Sequence, residues 1–226
     1  MFSKSEFKEV VKSMGLVFGD IGTSPIYTLT VIFLLTRPTH THIIGVLSLI
    51  IWTLIVLVTM EYAWLAMSLG KKGEGGTIVL KEILVPLLKS SRNVALVTLL
   101  AYIGTSFLMG DGVITPAISI LSAVEGLRII PQFENIGQGT IILISAVIAI
   151  GLFSVQSKGI EKITWVFGPV MILWFAAIGF SGIASIFYTP EVLKAINPYY
   201  AIRFLMDNGI IGFFVLSEVI LCATGG

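Results

Sequence analysis

Gly19-Asp20-Ile21-Gly22-Thr23-Ser24-Pro25-Ile26-Tyr27 lies inside an apolar run covering about residues 13–35. Two glycines flank a carboxylate here, and Pro25 has no N–H to give to a helix. Broken backbone at membrane depth survives only where protein buries it or where it lines a cavity. Its carbonyls and hydroxyls are the oxygens that a dehydrated monovalent cation needs. On a continuous helix Asp20, Thr23, Ser24 and Tyr27 would share a face at i, i+3, i+4 and i+7. A plainer reading also exists: a Pro-kinked packing helix whose Ser and Thr bond back to their own carbonyls. That reading accounts for Ser24 and Pro25 but leaves Asp20 unpaired.

The rest of the chain agrees with a membrane setting. Of 226 residues, 56% are hydrophobic and 12% are charged, against about 45–50% apolar and 25% charged in a soluble domain. That charge is too sparse to coat a water-soluble globule of this size. A net charge of +1 argues against a nucleic-acid partner, which would need a basic excess. Cys222 is the one cysteine, so no intrachain disulfide forms. Spans of about 20 apolar residues fall at about 13–35, 43–70, 93–124, 138–156, 163–187 and 208–226. Residues 1–12 form an N-terminal polar segment, and 13–226 form the transmembrane domain. The first span is too long for a signal peptide and carries Asp20 and Pro25. Polar connections run through Thr36-Arg37-Pro38, Gly70 to Gly76, Pro131 to Asn135, Ser157-Lys158-Gly159 and Thr189 to Asp207. Ten of the 14 basic residues fall on one side of this topology and four on the other. The positive-inside rule then places the N-terminus in the cytoplasm of a multi-pass cell-membrane protein.

All the bases lie in loops or at span ends, but the acids do not. Asp20, Glu61, Asp111 and Glu218 lie inside spans, and Glu125 ends the third. A carboxyl at the bilayer centre costs at least about 2.5–3.5 kcal/mol. With no buried base nearby in sequence, these groups need a proton, a cation or water. For Glu61 and Glu218 a place near the interface, or simple protonation, is an equal explanation. Asp111 sits in Gly110-Asp111-Gly112-Val113-Ile114-Thr115-Pro116, which repeats the first motif: Gly-Asp, four residues, then Pro after a hydroxyl. Asp111, Thr115, Ser119 and Ser122 make a polar stripe at helical spacing, although such stripes also serve helix packing. The third span, at about 32 residues and 1.5 Å each, would reach about 48 Å and must tilt, kink or project. Thr224-Gly225-Gly226 marks another helix break.

Gly73-Glu74-Gly75-Gly76-Thr77 lacks the Gly-Lys-Ser/Thr of a phosphate loop and reads as a turn feeding a helix over 78–88. His40 and His42 are too few for a metal centre. No Ser/His/Asp set or Cys/His pair lies in the spans, so an enzyme is not expected.

The two Gly-Asp motifs, the Gly73 to Thr77 turn and Ser122-Ala123-Val124-Glu125-Gly126 together resemble the KUP/HAK/KT potassium uptake permeases. The motifs come in the family's order, and the resemblance covers the whole chain. It implies an all-α LeuT-like fold of the amino acid–polyamine–organocation superfamily, with broken first and sixth helices. The six spans then make the first five-helix repeat plus the start of helix 6. In the family, Thr-Gly-Gly is followed by Glu-Ala-Leu-Tyr-Ala-Asp, six more helices and a cytoplasmic domain. The chain therefore reads as an N-terminal fragment whose missing half, or a second copy, would complete it. The family's Arg-Ala-Asp-Asn before Gly-Glu-Gly-Gly is replaced here by Gly70-Lys71-Lys72.

The resemblance also implies potassium uptake by potassium:proton symport, with potassium and the proton as transported partners and no cofactor. It assigns Asp20, Tyr27, Asp111, Thr115, Ser119 and Thr224 to the potassium pathway. Glu125 matches a further acidic position nearer the outer gate. Gly19, Gly22, Pro25, Gly225 and Gly226 are the helix-break positions. An apolar surround raises a carboxyl pKa, so Asp20 is the first choice for the proton-coupling switch, then Asp111 and Glu125. Two rivals stand beside this reading. One is an amino-acid permease of the same superfamily, in which Asp20 would repel the substrate carboxylate. The other is a non-transporting scaffold or half-transporter.

Overall fold

The structure is a computed structural model that describes residues 3–70, 74–156 and 160–223; some side chains within these stretches, including that of Asp20, are not among the described ones. Every long element is helical. In chain order they are α1 (Lys4–Ile21), α2 (Ser24–Leu35), α3 (His40–Thr53), a π-helical segment (Leu54–Ala66), α4 (Thr77–Leu84), α5 (Ser91–Glu125), α6 (Gln138–Gln156), α7 (Ile160–Tyr188) and α8 (Tyr199–Ile220). Short 3-10 turns follow α4 and α5, and another covers Pro190–Ile196.

Local chemistry explains where several of these begin. A Ser-x-x-Glu capping box opens α1: the Ser3 N–H donates to Glu6 Oε2 at 2.7 Å and the Glu6 N–H to Ser3 Oγ at 3.2 Å. Thr39 caps α3, its Oγ1 accepting from the His42 N–H at 3.3 Å. Gly76 takes φ +88° just before α4, a conformation that favours glycine.

Among the described residues, three helices are long and apolar enough to cross a membrane by length and composition: His40–Ala66, Ser91–Ile129 and Phe167–Tyr188. Six spans are expected from hydropathy, and breaks explain part of the difference. The turn at Gly22-Thr23 divides the first, leaving Ser24–Leu35 as a shorter apolar helix. Gly209, at φ +50° and ψ −120°, divides α8. The stretch from Thr189 to Asp207, expected to be a loop, is instead a 3-10 turn followed by the first half of α8, which starts after Pro198. Its charges ride on exposed helix faces, as in the Arg203–Asp207 pair at i, i+4.

Packing follows small residues and apolar faces. α1 crosses α7 where Gly15 meets Gly168: a Cβ on Gly15 would lie 2.5 Å from the Gly168 nitrogen, and one on Gly168 would lie 2.4 Å from the Val11 carbonyl oxygen. Close backbone approach of this kind is how membrane helices gain dispersion contacts without a hydrophobic driving force. Beside it, Phe18 and Phe175 meet edge to face at 6.2 Å.

A second core joins α2, α3 and α8 through Ile32, Val46, Leu49, Ile50, Phe204 and Val215. Gly45 lets Phe204 close onto α3. The connector before α8 is tied to α3 by polar bonds: Ser48 Oγ donates to the Asn197 carbonyl and Trp52 Nε1 to the Ile196 carbonyl, both at 2.9 Å. His40 Nε2 lies 2.9 Å from Glu191 Oε2. The Lys194 ammonium, 3.2 Å from Glu191, and then the His40 charge hold the Glu191 carboxyl below its ordinary value. The His pair is thus spent on structure. His42 stacks edge to face on Phe204, and among the described residues no three His, Cys, Asp or Glu side chains gather as a metal site.

Candidate cation site

The first Gly-Asp motif forms a turn between two helices. Gly19 and Asp20 lie in the last turn of α1, the chain turns at Gly22 and Thr23, and Pro25 sits in the first turn of α2, where its missing N–H costs nothing. The break therefore falls at Gly22-Thr23, and Asp20 to Tyr27 do not lie on one continuous helix. Gly22 is buried, and a Cβ there would lie 2.7 Å from Phe175 Cζ. Several carbonyls and hydroxyls at the turn already have partners. Gly19 O accepts from Thr23 Oγ1 at 3.1 Å, Phe18 O from the Gly22 N–H at 2.9 Å, and Gly22 O from Trp174 Nε1 at 2.9 Å. The buried Tyr27 hydroxyl donates to Ser24 Oγ at 3.1 Å.

Trp174, 152 residues away on α7, was not expected in this role. No local pattern marks it, because a tryptophan in an apolar run reads equally as an interface anchor or as helix packing. Replacing it with phenylalanine leaves the Gly22 carbonyl without that donor. An unmatched interior acceptor costs about 1–3 kcal/mol, so Trp174→Phe lowers thermal stability by an amount in that range in a detergent melting curve. An unchanged melting temperature would show that the indole does not hold the turn.

The second motif lies inside α5. Thr115, only 7% exposed, donates from Oγ1 to Asp111 Oδ1 at 2.8 Å. Pro116 has no N–H, so the Gly112 carbonyl, four residues back, loses its helical donor. A carboxylate, a hydroxyl and a freed carbonyl thus come within one turn. Ser119 continues the stripe, about 12 Å along the helix from Asp111 at 1.5 Å per residue. Glu125 is the exposed last residue of α5, about 21 Å along by the same measure. The structure does not bring Glu125 together with Asp111.

Asp111 opens into a cleft of about 500 Å³ between the π-helical segment, α4 and α5. Leu57, Val58, Phe107 and Leu108 line it, together with the polar residues Glu61, Tyr62 and Thr77. Thr77 approaches α5 at Gly104, its Cγ2 lying 3.5 Å from where a Cβ would stand, an ordinary contact distance. Ala223 also lines the cleft. Thr224, Gly225 and Gly226 lie outside the described residues, but their neighbour is at the edge of this space. Cys222 and Thr28 are both fully buried, on α8's end and α2, and α2 packs on α8. Tyr27 does not line the cleft with Asp111.

Residues 7–226 match the model of the K+ potassium transporter integral membrane domain. The chain belongs to this potassium transporter family. It is 95% identical over all 226 residues to the probable potassium transport system protein Kup of Methanosarcina barkeri, covering 38% of that protein. It is 81% identical over its full length to the Kup protein of Methanosarcina acetivorans, again covering 38%. Over 96% of the chain it is 67% identical to the Kup 2 protein of Geobacter metallireducens, covering 36% of it. The chain thus spans little more than a third of these relatives. No solved structure matches it. Members of the potassium transporter family are transporters, not enzymes, and with its apolar helices the chain is a multi-pass membrane protein.

Proposed function

We propose that this chain supplies the first-half cation site of a potassium uptake permease that runs by potassium:proton symport in the cell membrane. The observation that carries the reading is the Asp111–Thr115 pair beside the Pro116-freed carbonyl on a membrane-length helix, with Asp111 lining a largely apolar cleft. Potassium exchanges hydration water for such oxygens. Asp20, Tyr27, Ser119 and Thr224 complete the path by family motif, and Glu125 lies nearer the outer gate. The N-terminus is cytoplasmic, following the lysine asymmetry. The broken first helix and the Gly-Gly after Thr224 fit a LeuT-like repeat whose continuation lies in the longer relatives.

Proton coupling follows from the same chemistry. A carboxyl in an apolar setting favours its neutral form. If Asp20 loses its proton when potassium leaves inward, the two fluxes become linked. Each inward proton brings about 2.3 kcal/mol per 100 mV, enough to draw potassium from dilute medium.

The test uses the full-length permease in vesicles loaded with a pH dye. Potassium entry is expected to acidify the lumen, and Asp20→Asn is expected to remove the coupled uptake. Potassium entry without acidification, or Asp20→Asn with full coupled uptake, would overturn symport through Asp20. Inhibition of uptake by an amino acid would favour the permease alternative.

A further inference from the structure

Residues 189–208 carry two acids and two bases, Glu191, Lys194, Arg203 and Asp207, among mostly apolar neighbours. Those charges read as a loop in water, yet the segment's contacts run along a membrane-length helix. His40, at the start of that helix, meets Glu191 at 2.9 Å. Trp52, farther along it, donates to the Ile196 carbonyl, and Ser48 donates to the Asn197 carbonyl. The chain reverses at Asn197-Pro198, and Phe204 then closes on Gly45 and His42. Asp207 and Asn208 line one cavity with Thr39 and Thr41. The segment thus runs along α3 and back. Its tip, at the level of Trp52, lies about 18 Å along the helix from His40 at 1.5 Å per residue.

The tip is built as hydrocarbon requires. Irregular backbone at membrane depth needs its polar groups satisfied within the protein. Here the Ile196 and Asn197 carbonyls take their donors from α3. The Asn197 N–H goes to the Lys194 carbonyl and the Tyr199 N–H to Asn197 Oδ1, both at 3.0 Å. Pro198 has no N–H to satisfy. The large side chains exposed around the tip are apolar or aromatic: Leu193, Ile196, Tyr199 and Ile202 are each between 49% and 59% exposed. The charges pair away from it. Lys194 reaches back to Glu191 at 3.2 Å, and Arg203 reaches on to Asp207 at 3.4 Å. Basic side chains near a membrane surface turn toward water in this way. The apolar exposure continues past Gly209 in Ile210, Phe213 and Phe214 of α8.

We propose that residues 189–208 form a re-entrant hairpin that dips into the bilayer beside α3, in the leaflet where α3 begins. Lipid acyl chains cover Leu193, Ile196, Tyr199 and Ile202, while Glu191 and Asp207 stay at the headgroup level. The two acids balance the two bases, so the hairpin needs no anionic headgroup. Burial of its apolar side chains in lipid holds it there. The inference rests on the chain's residence in the membrane and not on which ion is carried.

The experiment attaches a nitroxide spin label to the full-length protein in phosphatidylcholine vesicles through Ile196→Cys, Ile202→Cys or Asp207→Cys. Each is read against the parent protein treated in the same way. Collisions with oxygen, which concentrates among acyl chains, are compared with collisions with a water-soluble nickel chelate. The oxygen-to-nickel ratio at 196 and 202 is expected to exceed that at 207 by about tenfold, with 196 the deeper of the two. Nickel collisions at 196 and 202 as frequent as at 207 would place the hairpin in water and overturn the proposal. Exclusion of both reagents from 196 and 202 would overturn it as well, because another part of the protein or a second copy would then cover this face. Leu193→Cys and Tyr199→Cys give the same reading where a first variant does not fold.

Discussion

Asp111→Asn in the full-length permease is expected to cut potassium uptake by about a hundredfold or more, equivalent to about 2.7 kcal/mol. The substitution keeps the shape and removes the charge. The Thr115 hydroxyl, held at 2.8 Å from Asp111 Oδ1, can still bond to an amide oxygen, so the helix is expected to fold. What is lost is the electrostatic term that offsets the ion's dehydration. Thr115→Val removes the buried donor that orients the carboxylate and should cost about tenfold, roughly one charge-assisted hydrogen bond, whereas Thr115→Ser should cost little. The check is rubidium uptake in cells lacking other potassium uptake, with membrane abundance measured in parallel. Normal KM and rate in Asp111→Asn would remove this carboxylate from the pathway.

Gly168→Ala is expected to destabilise the protein by about 3 kcal/mol or more, at or beyond the upper end of overpacking costs. The added methyl would stand 2.4 Å from the Val11 carbonyl oxygen, and the reciprocal Cβ on Gly15 would stand 2.5 Å from the Gly168 nitrogen. Both obstacles are backbone, so no change of rotamer relieves them. α1 and α7 must move apart, and the Phe18–Phe175 contact and the Trp174 bond to Gly22 lie on that same crossing. Gly179→Ala on the same helix is the control, since nothing lies within 4 Å of its Cβ. It should be neutral or slightly stabilising, because alanine is the better helix former by about 1 kcal/mol. Melting curves in detergent measure both. Equal effects at 168 and 179 would mean the crossing is not closely packed.

Much of the helical layout was legible in the residues. Spans expected at 93–124, 138–156 and 163–187 correspond to Ser91–Glu125, Gln138–Gln156 and Ile160–Tyr188. Glycine and proline beside Asp20 pointed to a break there, and the structure turns at Gly22-Thr23. The kink at Gly209 was missed, although Asn208-Gly209 is a turn dipeptide. The helical start of α8 was missed because its charges suggested a loop. At the site, the stripe from Asp111 to Ser119 was visible as helical periodicity. Its neighbour Glu61 was visible only as an acid of uncertain depth.

The sequence by itself determined membrane residence, the family and the approximate limits of the helices Ser91–Glu125, Gln138–Gln156 and Ile160–Tyr188. Each of these depends on local quantities: transfer energy summed along one segment, or a motif read in order. Only the tertiary structure decided that Glu61 and Asp111, 50 residues apart in the chain, open into one cleft. It likewise gave the Gly22 carbonyl to Trp174 and set Gly15 against Gly168. Periodicity tells which face of a helix is polar or small, but which other helix meets that face depends on the packing of the whole bundle.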